Sequence, residues 1–256
     1  SVCRCFVLRG TPSALSGYVV LQDCPDFSPQ FNIAPQSDIP VIRQRPEIGL
    51  VGQIVRWGLV PSWAKDSSIG AKLNNARAET VADKPSFRSS FTRHRCIIPA
   101  SGYFEWQAVS RNSKVFKQPW YIRPTEENAY FAMAGLLAKW VASDGTNLIT
   151  ACVITTEPNG VMTPIHDRMP VILSENDIGT WLDPGNNDRS VLTPMLKPAA
   201  DETMKAIPVS LSVNRASNDG PELIQAIELP ELVRLRLMLQ WSIEMRPKQP
   251  HFKIRR

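Results

Sequence analysis

The chain has 256 residues, 43% of them hydrophobic, which is enough for one large domain with a core or for two small ones. Its formal net charge of +5 is compatible with a polyanionic partner but does not require one. An odd number of scattered cysteines, no signal-peptide pattern and no apolar run of about 18 residues argue against a secreted disulfide scaffold and a membrane span, so a cytoplasmic protein is expected.

The first predicted elements alternate strands with one helix. GLVGQIVRWGL (49–59) is rich in Val, Ile and Trp and predicts a strand. KPSFRSSFTRH (84–94) has an early Pro and two Phe residues four apart, which predicts a helix with one apolar face. CIIPASGYFEW (96–106) is typical of two strands joined by a Pro/Gly turn.

The middle of the chain predicts a hairpin. The apolar runs 129–140 and 147–156 flank the turn SDGT, so two paired strands are expected. MPVILS (169–174) predicts a short buried strand, and ENDIGTWL (175–182) a helix that ends at Asp-Pro.

The last predicted elements are a strand over 204–210 and a long helix over 229–245, followed by a basic, proline-broken tail. Strands with interspersed helices and no clean linker indicate one α+β domain. We therefore predict a domain over 1–226, with 227–256 as its C-terminal extension of helix and tail.

The usual local signatures of metal and phosphate sites are absent from the sequence. Three histidines, badly spaced from the cysteines, do not predict a zinc site, and no glycine-rich phosphate loop or GxSxG motif occurs. No metal or cofactor is predicted.

Two polar residues in apolar surroundings are candidates for proton transfer. Glu105 lies between Phe104 and Trp106, so on a strand it points away from both. It faces either a pocket, where it can exchange protons, or solvent. His166, just before a predicted strand, is either an acid, base or oxyanion donor or a turn histidine bonded to the backbone. The residues alone do not decide between the two alternatives for either side chain.

A series of motifs occurs in order between residues 3 and about 225. They are VCRCF (2–6), FNIAP (31–35), WGLVPSW (57–63), NARAET (75–80), RCIIPASGYFEW (95–106), TTEPN (155–159), IHDRMP (165–170) and the stretch from PVS to PELI (208–224). Together they resemble the SOS-response-associated peptidase (SRAP) family, whose members act on abasic sites in DNA. The resemblance implies mainly antiparallel or mixed β-sheets with a barrel-like core and a few flanking helices.

The resemblance also implies a covalent reaction. Cys3 would form a thiazolidine with the aldehyde of an abasic sugar through its thiol and α-amine, which act together because one residue holds both. Asn75 would orient the amine or the sugar, Glu105 would act as general acid and base and in self-processing, and His166 would donate to the sugar oxygen.

The implied partner is single-stranded or junction DNA that contains abasic sites, bound by a monomer that is nucleoid-associated when on DNA. Arg77 and Arg88 would bind phosphate, and Trp63 either stacks on a base or belongs to the core. The implied DNA-contacting residues are Arg4, Asn32, Pro35, Trp63, Arg77 and Arg88.

The opening residues depart from the family pattern. Ser1 and Val2 precede Cys3, and an acylated Cys3 has no α-amine for a thiazolidine. The two residues are a remnant of expression, a segment that the protein removes itself, or a sign that crosslinking is lost. Arg4 and Cys5 stand where the family has Gly and Arg. Two alternatives therefore stay open: a cysteine peptidase acting on other proteins, and a non-catalytic DNA-binding module if Cys3 remains blocked.

Overall fold

The fold is built mainly from strands. A computed structural model of the protein describes residues 5–18, 20–111 and 114–229. The strands are β1 (Cys5–Leu8), β2 (Gln30–Ile33), β3 (Asp38–Arg45), β4 (Gly49–Trp57), β5 (Asn75–Arg77), β6 (Arg95–Ala100), β7 (Gly102–Arg111), β8 (Lys114–Pro124), β9 (Phe131–Val141), β10 (Asn147–Thr156), β11 (Met169–Pro170) and β12 (Met204–Pro208). The α-helices are α1 (Pro12–Tyr18), α2 (Arg88–Arg93), α3 (Glu175–Leu182) and α4 (Arg189–Leu192), and 3-10 helices occupy Ser67–Lys72, Thr193–Met195, Asp201–Thr203, Leu211–Asn214 and Pro221–Ile224.

Five strands close into a small barrel in the order β10-β4-β3-β6-β9, and β9 pairs with β10 to complete the ring. All its pairings are antiparallel except β10 with β4. Strand β5 adds to β10 in parallel, and β11 adds to it antiparallel. Closure leaves few unpaired strand edges in the barrel, which protects it from edge-to-edge association.

A second, five-stranded antiparallel sheet has the order β12-β8-β7-β1-β2 and packs against the barrel. The shared core contains fully buried residues from both layers, among them Phe6 and Tyr103 from this sheet and Trp57 and Met133 from the barrel. The rings of Phe6 and Trp57 meet edge to face at 5.2 Å. Burial of each such side chain contributes about 1.5–3 kcal/mol, so this layer contact is a main source of stability.

Helices α2 and α3 cover the other face of the barrel, where Phe91 and Trp181 pack at 6.1 Å. Between them lies the buried guanidinium of Arg95, which donates to the carbonyl oxygens of Phe91, Thr92, Trp181, Asp183 and Asn186. Four of these oxygens lie in or just after the two helices, so one side chain ties both helix ends to β6.

Most of the predicted elements are confirmed. The strand at 49–59, the strand pair in 96–106, the 129–156 hairpin, the helix over 175–182 and the strand in 204–210 correspond to β4, β6 with β7, β9 with β10, α3 and β12. The barrel-like core and the mainly antiparallel sheets are also found.

Two predicted elements are shorter than expected. The helix of 84–94 covers only Arg88–Arg93, because the preceding residues form turns that pack Phe87 into the core. The strand of 169–174 is only Met169–Pro170, because the chain then moves from β10 to β9, where Leu173 N donates to Ala132 O. The predicted helix over 229–245 and the basic tail lie outside the described residues.

Candidate functional site

Glu105 and His166 form the centre of the site. Glu105 lies on β7, opposite Trp120 of β8, and only 1% of its surface is exposed. Its Oε2 is 4.0 Å from Nε2 of His166. The sequence left open whether this glutamate faced a pocket or solvent; it is buried, in the wall of a cavity, and the His166 ring lies at a distance that one intervening group can bridge for proton transfer.

The loop that carries His166 is held from the sheet beneath it. Gln107, two residues after Glu105 and on the same face of β7, donates from Nε2 to Pro164 O at 2.7 Å. Its Oε1 accepts from Trp120 Nε1 at 2.9 Å. Ile165, the residue before His166, is buried in the main core and also anchors the loop. The histidine therefore sits on a rigid support, as a catalytic group requires.

The second ring nitrogen of His166 has two neighbours. Arg168 N donates to Nδ1 at 3.2 Å, and the Asp167 carboxylate lies 2.8 Å from the same atom. In the neutral ring Nδ1 accepts from Arg168 N, so the proton is on Nε2 and points towards Glu105. In the protonated ring Nδ1 donates to Asp167 instead. Both protonation states are thus provided with a partner.

Asn75 and Arg77 reach the same place from β5, which pairs in parallel with β10. The Trp57 indole donates to Asn74 O at 3.0 Å and fixes the entry to this strand. Together with His166 these residues line a cavity of about 220 Å³, the Arg77 cavity, whose other walls are Lys72, Asn74, Thr155, Asp167 and Arg168. Its cations make it suitable for a phosphate.

Arg168 is a residue of this cavity that the sequence analysis did not assign, although its motif was quoted. Its guanidinium makes two hydrogen bonds to the Glu79 carboxylate, one of 3.0 Å, and another to Thr155 O. The hydrogen bonds from Arg168 to the carboxylate are the main reason that the pKa of Glu79 is lower than usual. The signal that indicates Arg168 is its place beside His166 in IHDRMP.

A second and larger cavity, of about 460 Å³, is also lined by His166. We call it the Trp106 cavity, and its walls are Cys5, Asn32, Glu105, Trp106, Lys117, His166, Val213, Asn214 and Ala216. His166 lines both cavities, whereas Glu105 lines only the Trp106 cavity.

The remaining predicted site residues are more dispersed. Trp63 is 58% exposed, on a loop held by the bond from Trp140 Nε1 to Ala64 O, so it is a surface tryptophan and not part of the core. Pro35 and the exposed Arg88 at the start of α2 line neither cavity. Cys3 and Arg4 lie outside the described residues, and Cys5 opens β1 at the wall of the Trp106 cavity.

No metal centre is evident in the described part of the chain, where no group of three or more His, Cys, Asp or Glu residues converges. Nor does any helix there have the length and apolar character to cross a bilayer.

Comparison with known proteins gives the family. The family model described as SOS response associated peptidase (SRAP) matches residues 2–216. The chain belongs to the SRAP family. The site of this SRAP protein is therefore formed by residues from the motifs that resemble the family.

Curated relatives of this SRAP protein carry a common description. It is 43% identical over 201 residues to the abasic site processing protein YoqW of Bacillus subtilis (strain 168), covering 78% of this chain and 88% of the relative. It is 32% identical over 262 residues to the abasic site processing protein HMCES of Xenopus tropicalis, covering 89% of this chain and 76% of the relative.

A solved structure has the same fold. A protein from Bacteroides thetaiotaomicron superimposes with a TM-score of 0.78 at 26% identity, covering 88% of this chain and all of the other.

Proposed function

We propose that this protein processes abasic sites in single-stranded DNA by forming a covalent thiazolidine crosslink through Cys3. The observation that carries the proposal is the pair of Glu105 and His166, 4.0 Å apart in the wall of the Trp106 cavity, with His166 also lining the cation-rich Arg77 cavity. The descriptions of the relatives as abasic site processing proteins support it.

The reaction has a simple balance. The ring-opened abasic sugar presents an aldehyde, and the α-amine of Cys3 adds to its carbon and loses water to give an imine. The thiol then adds to the imine carbon, and its proton goes to the nitrogen. Buried Glu105 relays these protons, and His166 Nε2–H donates to the sugar oxygen that becomes a hydroxyl when the sugar opens.

The reaction needs an unacylated amine on Cys3. The proposal therefore includes a peptidase step that removes whatever residue precedes Cys3, with Glu105 again exchanging protons. A nucleophile near the chain terminus suits this self-processing better than attack on other proteins, because one chain supplies both the bond and the catalytic groups.

The DNA strand is proposed to run past the pair of Glu105 and His166. Arg77 and Lys72 supply phosphate contacts on one side, and exposed Trp63 offers a surface on which a base can stack. Phosphate contacts of this kind make affinity depend on salt without reading the sequence, as suits a protein that recognises damage. A monomeric, cytoplasmic protein is sufficient for this function.

The test is intact mass spectrometry before and after incubation with a single-stranded oligonucleotide carrying one abasic site. We expect a gain equal to the oligonucleotide minus one water, on a chain that begins at Cys3. Cys3→Ala should abolish the adduct, and Glu105→Gln should slow it by roughly 10²-fold or more. Cys24→Ala, which alters a thiol remote from both cavities, is the matched control. An adduct that survives Cys3→Ala, or none with a chain beginning at Cys3, contradicts the proposal.

A further inference from the structure

A group of basic side chains lies at one end of the barrel, outside the two cavities described above. Its members are Arg43 and Arg45 near the end of β3, Arg93 at the end of α2 and His94 just before β6. We call this group the Arg43 cluster. The crosslinking reaction gives it no role, so its ligand is a separate question.

The direction of the strands places the cluster away from the crosslinking site. β6 is antiparallel to β3 and to β9, and β9 is antiparallel to β10. The end of β3 and the beginning of β6 therefore lie at the same end of the barrel as the beginning of β10. His166 follows the other end of β10, where Arg77 lies opposite Thr155. The cluster and the crosslinking site thus belong to opposite ends of the barrel.

The strand order also separates them sideways. Val153 of β10 is paired with β9 on one edge and with β5 on the other. Two strands, β10 and β9, therefore lie between β5, which carries Arg77, and β6, which follows His94. Three strand spacings amount to about 14 Å, in addition to the offset along the strands. A ligand that fills the Arg77 cavity alone does not reach the cluster.

Two members of the cluster are held in place by neighbouring elements. The backbone N–H of His94 donates to Ser90 O at 2.8 Å, and its carbonyl oxygen accepts from Leu137 N at 2.7 Å. Arg43 is half-buried, and its Nη1 lies 3.4 Å from Gln53 Oε1. That long contact is the one hydrogen bond that this guanidinium makes to the described residues. It fixes the side chain and leaves most of its five N–H donors for a ligand.

The positive charges of the cluster repel one another. The pKa of Arg43 is lowered by burial and then by Arg45, and the pKa of His94 is lowered by burial and then by Arg43, Arg93 and Arg95. Within the described part of the chain, Arg43, Arg45 and Arg93 make no ion pair with a carboxylate. Like charges held together without counter-charge are unfavourable, and a bound anion removes that cost.

The residue types indicate which anion this is. A planar guanidinium donates two parallel N–H bonds to a phosphate or a carboxylate, and three of the four members are arginines. The cluster contains no Trp, Tyr or Phe, so it offers no stacking surface to a base. Of the two anions, phosphate is the one that the protein meets at every nucleotide whenever it binds DNA.

We propose that the Arg43 cluster is a second DNA-binding surface, which contacts the phosphate backbone of the bound DNA at a distance from the abasic site. The contact is independent of sequence and of the lesion, whereas the site at Glu105 and His166 acts on the lesion. The inference rests on the proposed function and adds to it a longer path for the DNA on the protein.

The test is fluorescence anisotropy with the double variant Arg45→Ala/Arg93→Ala, which removes two exposed charges and leaves the half-buried Arg43. Two single-stranded oligonucleotides, of about six and about 30 nucleotides, each carry one central tetrahydrofuran residue, which has no aldehyde. For the longer one, affinity should fall roughly tenfold. The slope of log affinity against log salt should decrease by about 1.4, because each phosphate contact with a single strand contributes about 0.7. The shorter one should bind unchanged, since it occupies the crosslinking site alone.

The matched control is Lys197→Ala/Lys205→Ala, which removes two exposed lysines outside the cluster and both cavities. It should leave affinity and slope unchanged for both oligonucleotides. Urea unfolding should show that both double variants are as stable as the parent protein. The inference is overturned if the arginine variant binds the longer oligonucleotide as the parent does, or if the lysine variant loses as much. An equal loss with the shorter oligonucleotide also overturns it, because the arginines would then belong to the crosslinking site.

The two proposals fail separately. An oligonucleotide of about 30 nucleotides without a lesion should show the same loss of affinity with the arginine variant, so it tests the cluster even if no adduct ever forms. Absence of an adduct with every abasic oligonucleotide means that the crosslinking function is wrong. If adducts form and the arginine variant binds all DNA normally, only the second surface is wrong.

Discussion

At the scale of single residues, the site depends on how a buried glutamate is accommodated. Alternation along β7 correctly put Glu105 on the opposite face from Phe104 and Trp106. The alternation could not predict that Glu105 is buried, because both faces of β7 are covered. Tyr103 faces the shared core, and Phe104 packs with Tyr121 on the other face. When both faces are buried, the period of two no longer separates inside from outside.

Asp167 is a positioning residue for His166 at this scale, and the substitution Asp167→Asn tests it. The carboxylate 2.8 Å from Nδ1 favours the protonated ring, while Arg168 N at 3.2 Å favours the neutral one. Loss of the charge should therefore slow crosslinking by roughly three- to tenfold, since the ring loses the partner that orients it through Nδ1.

The measurement is the single-turnover crosslinking rate at saturating oligonucleotide. Asp167→Glu should restore much of the rate. The affinity of Asp167→Asn for a single-stranded oligonucleotide carrying tetrahydrofuran, a stable abasic analogue, should not weaken, because a negative charge is removed from a DNA-binding surface. An equal loss of rate in Asp167→Glu, or weaker affinity in Asp167→Asn, would show that Asp167 acts only on the local structure.

At the scale of elements, the local sequence pattern was sufficient to predict some strands and not others. The β9–β10 hairpin was predictable because its strands are long and apolar and are joined by a short turn containing Gly145 with positive φ. Strands β3 and β8 were not predictable, because charged residues and prolines interrupt their apolar runs. Pairing with neighbouring strands, and not their own sequence pattern, makes them strands.

Gly58 shows how an element far from the chemistry supports the site, and Gly58→Ala tests this. Its φ is +134°, and a Cβ there would lie 2.6 Å from the carbonyl oxygen of Gly70, in the 3-10 helix that leads to Asn75. The positive φ and the close contact both oppose a side chain, so the substitution should lower the free energy of unfolding by roughly 1–3 kcal/mol. Crosslinking should also slow, because the strand that carries Asn75 must shift.

Urea unfolding gives the stability change. Gly179→Ala is the matched control, since Gly179 lies within α3 and a Cβ there meets nothing within 4 Å. That substitution should stabilise the protein by about 0.5–1 kcal/mol. If Gly58→Ala is as stable as the parent protein, the close approach of the two backbones is not a constraint.

At the scale of the whole molecule, the site exists because the barrel and the second sheet meet. Glu105 comes from the second sheet, Asn75 from a strand added to the barrel, and His166 from the loop after β10. The motifs indicated which residues matter through their resemblance to a family. The parallel pairing of β10 with β4, which together with the β9–β10 hairpin closes the barrel, joins segments about ninety residues apart, and a single sequence carries no local signal for such a contact.

Closure of the barrel predicts which thiols react. Cys96 on β6 and Cys152 on β10 are fully buried, and burial raises the pKa of both thiols well above the usual value. Cys96 packs in the core shared with the second sheet, and Cys152 packs in the core beneath helices α2 and α3. A reagent therefore reaches each thiol only when the core around it opens. In native conditions we expect a maleimide not to modify Cys96 or Cys152. It should modify the partly exposed Cys24 slowly, because burial, and then the nearby Asp23 and Asp26, raise the pKa of that thiol. Peptide mass mapping after a labelling series in urea checks this: Cys96 and Cys152 should become reactive together, at the urea concentration where the tertiary signal is lost. If one of them reacts well before the other, the two cores open separately, and the barrel with its covering layers is not a single cooperative unit.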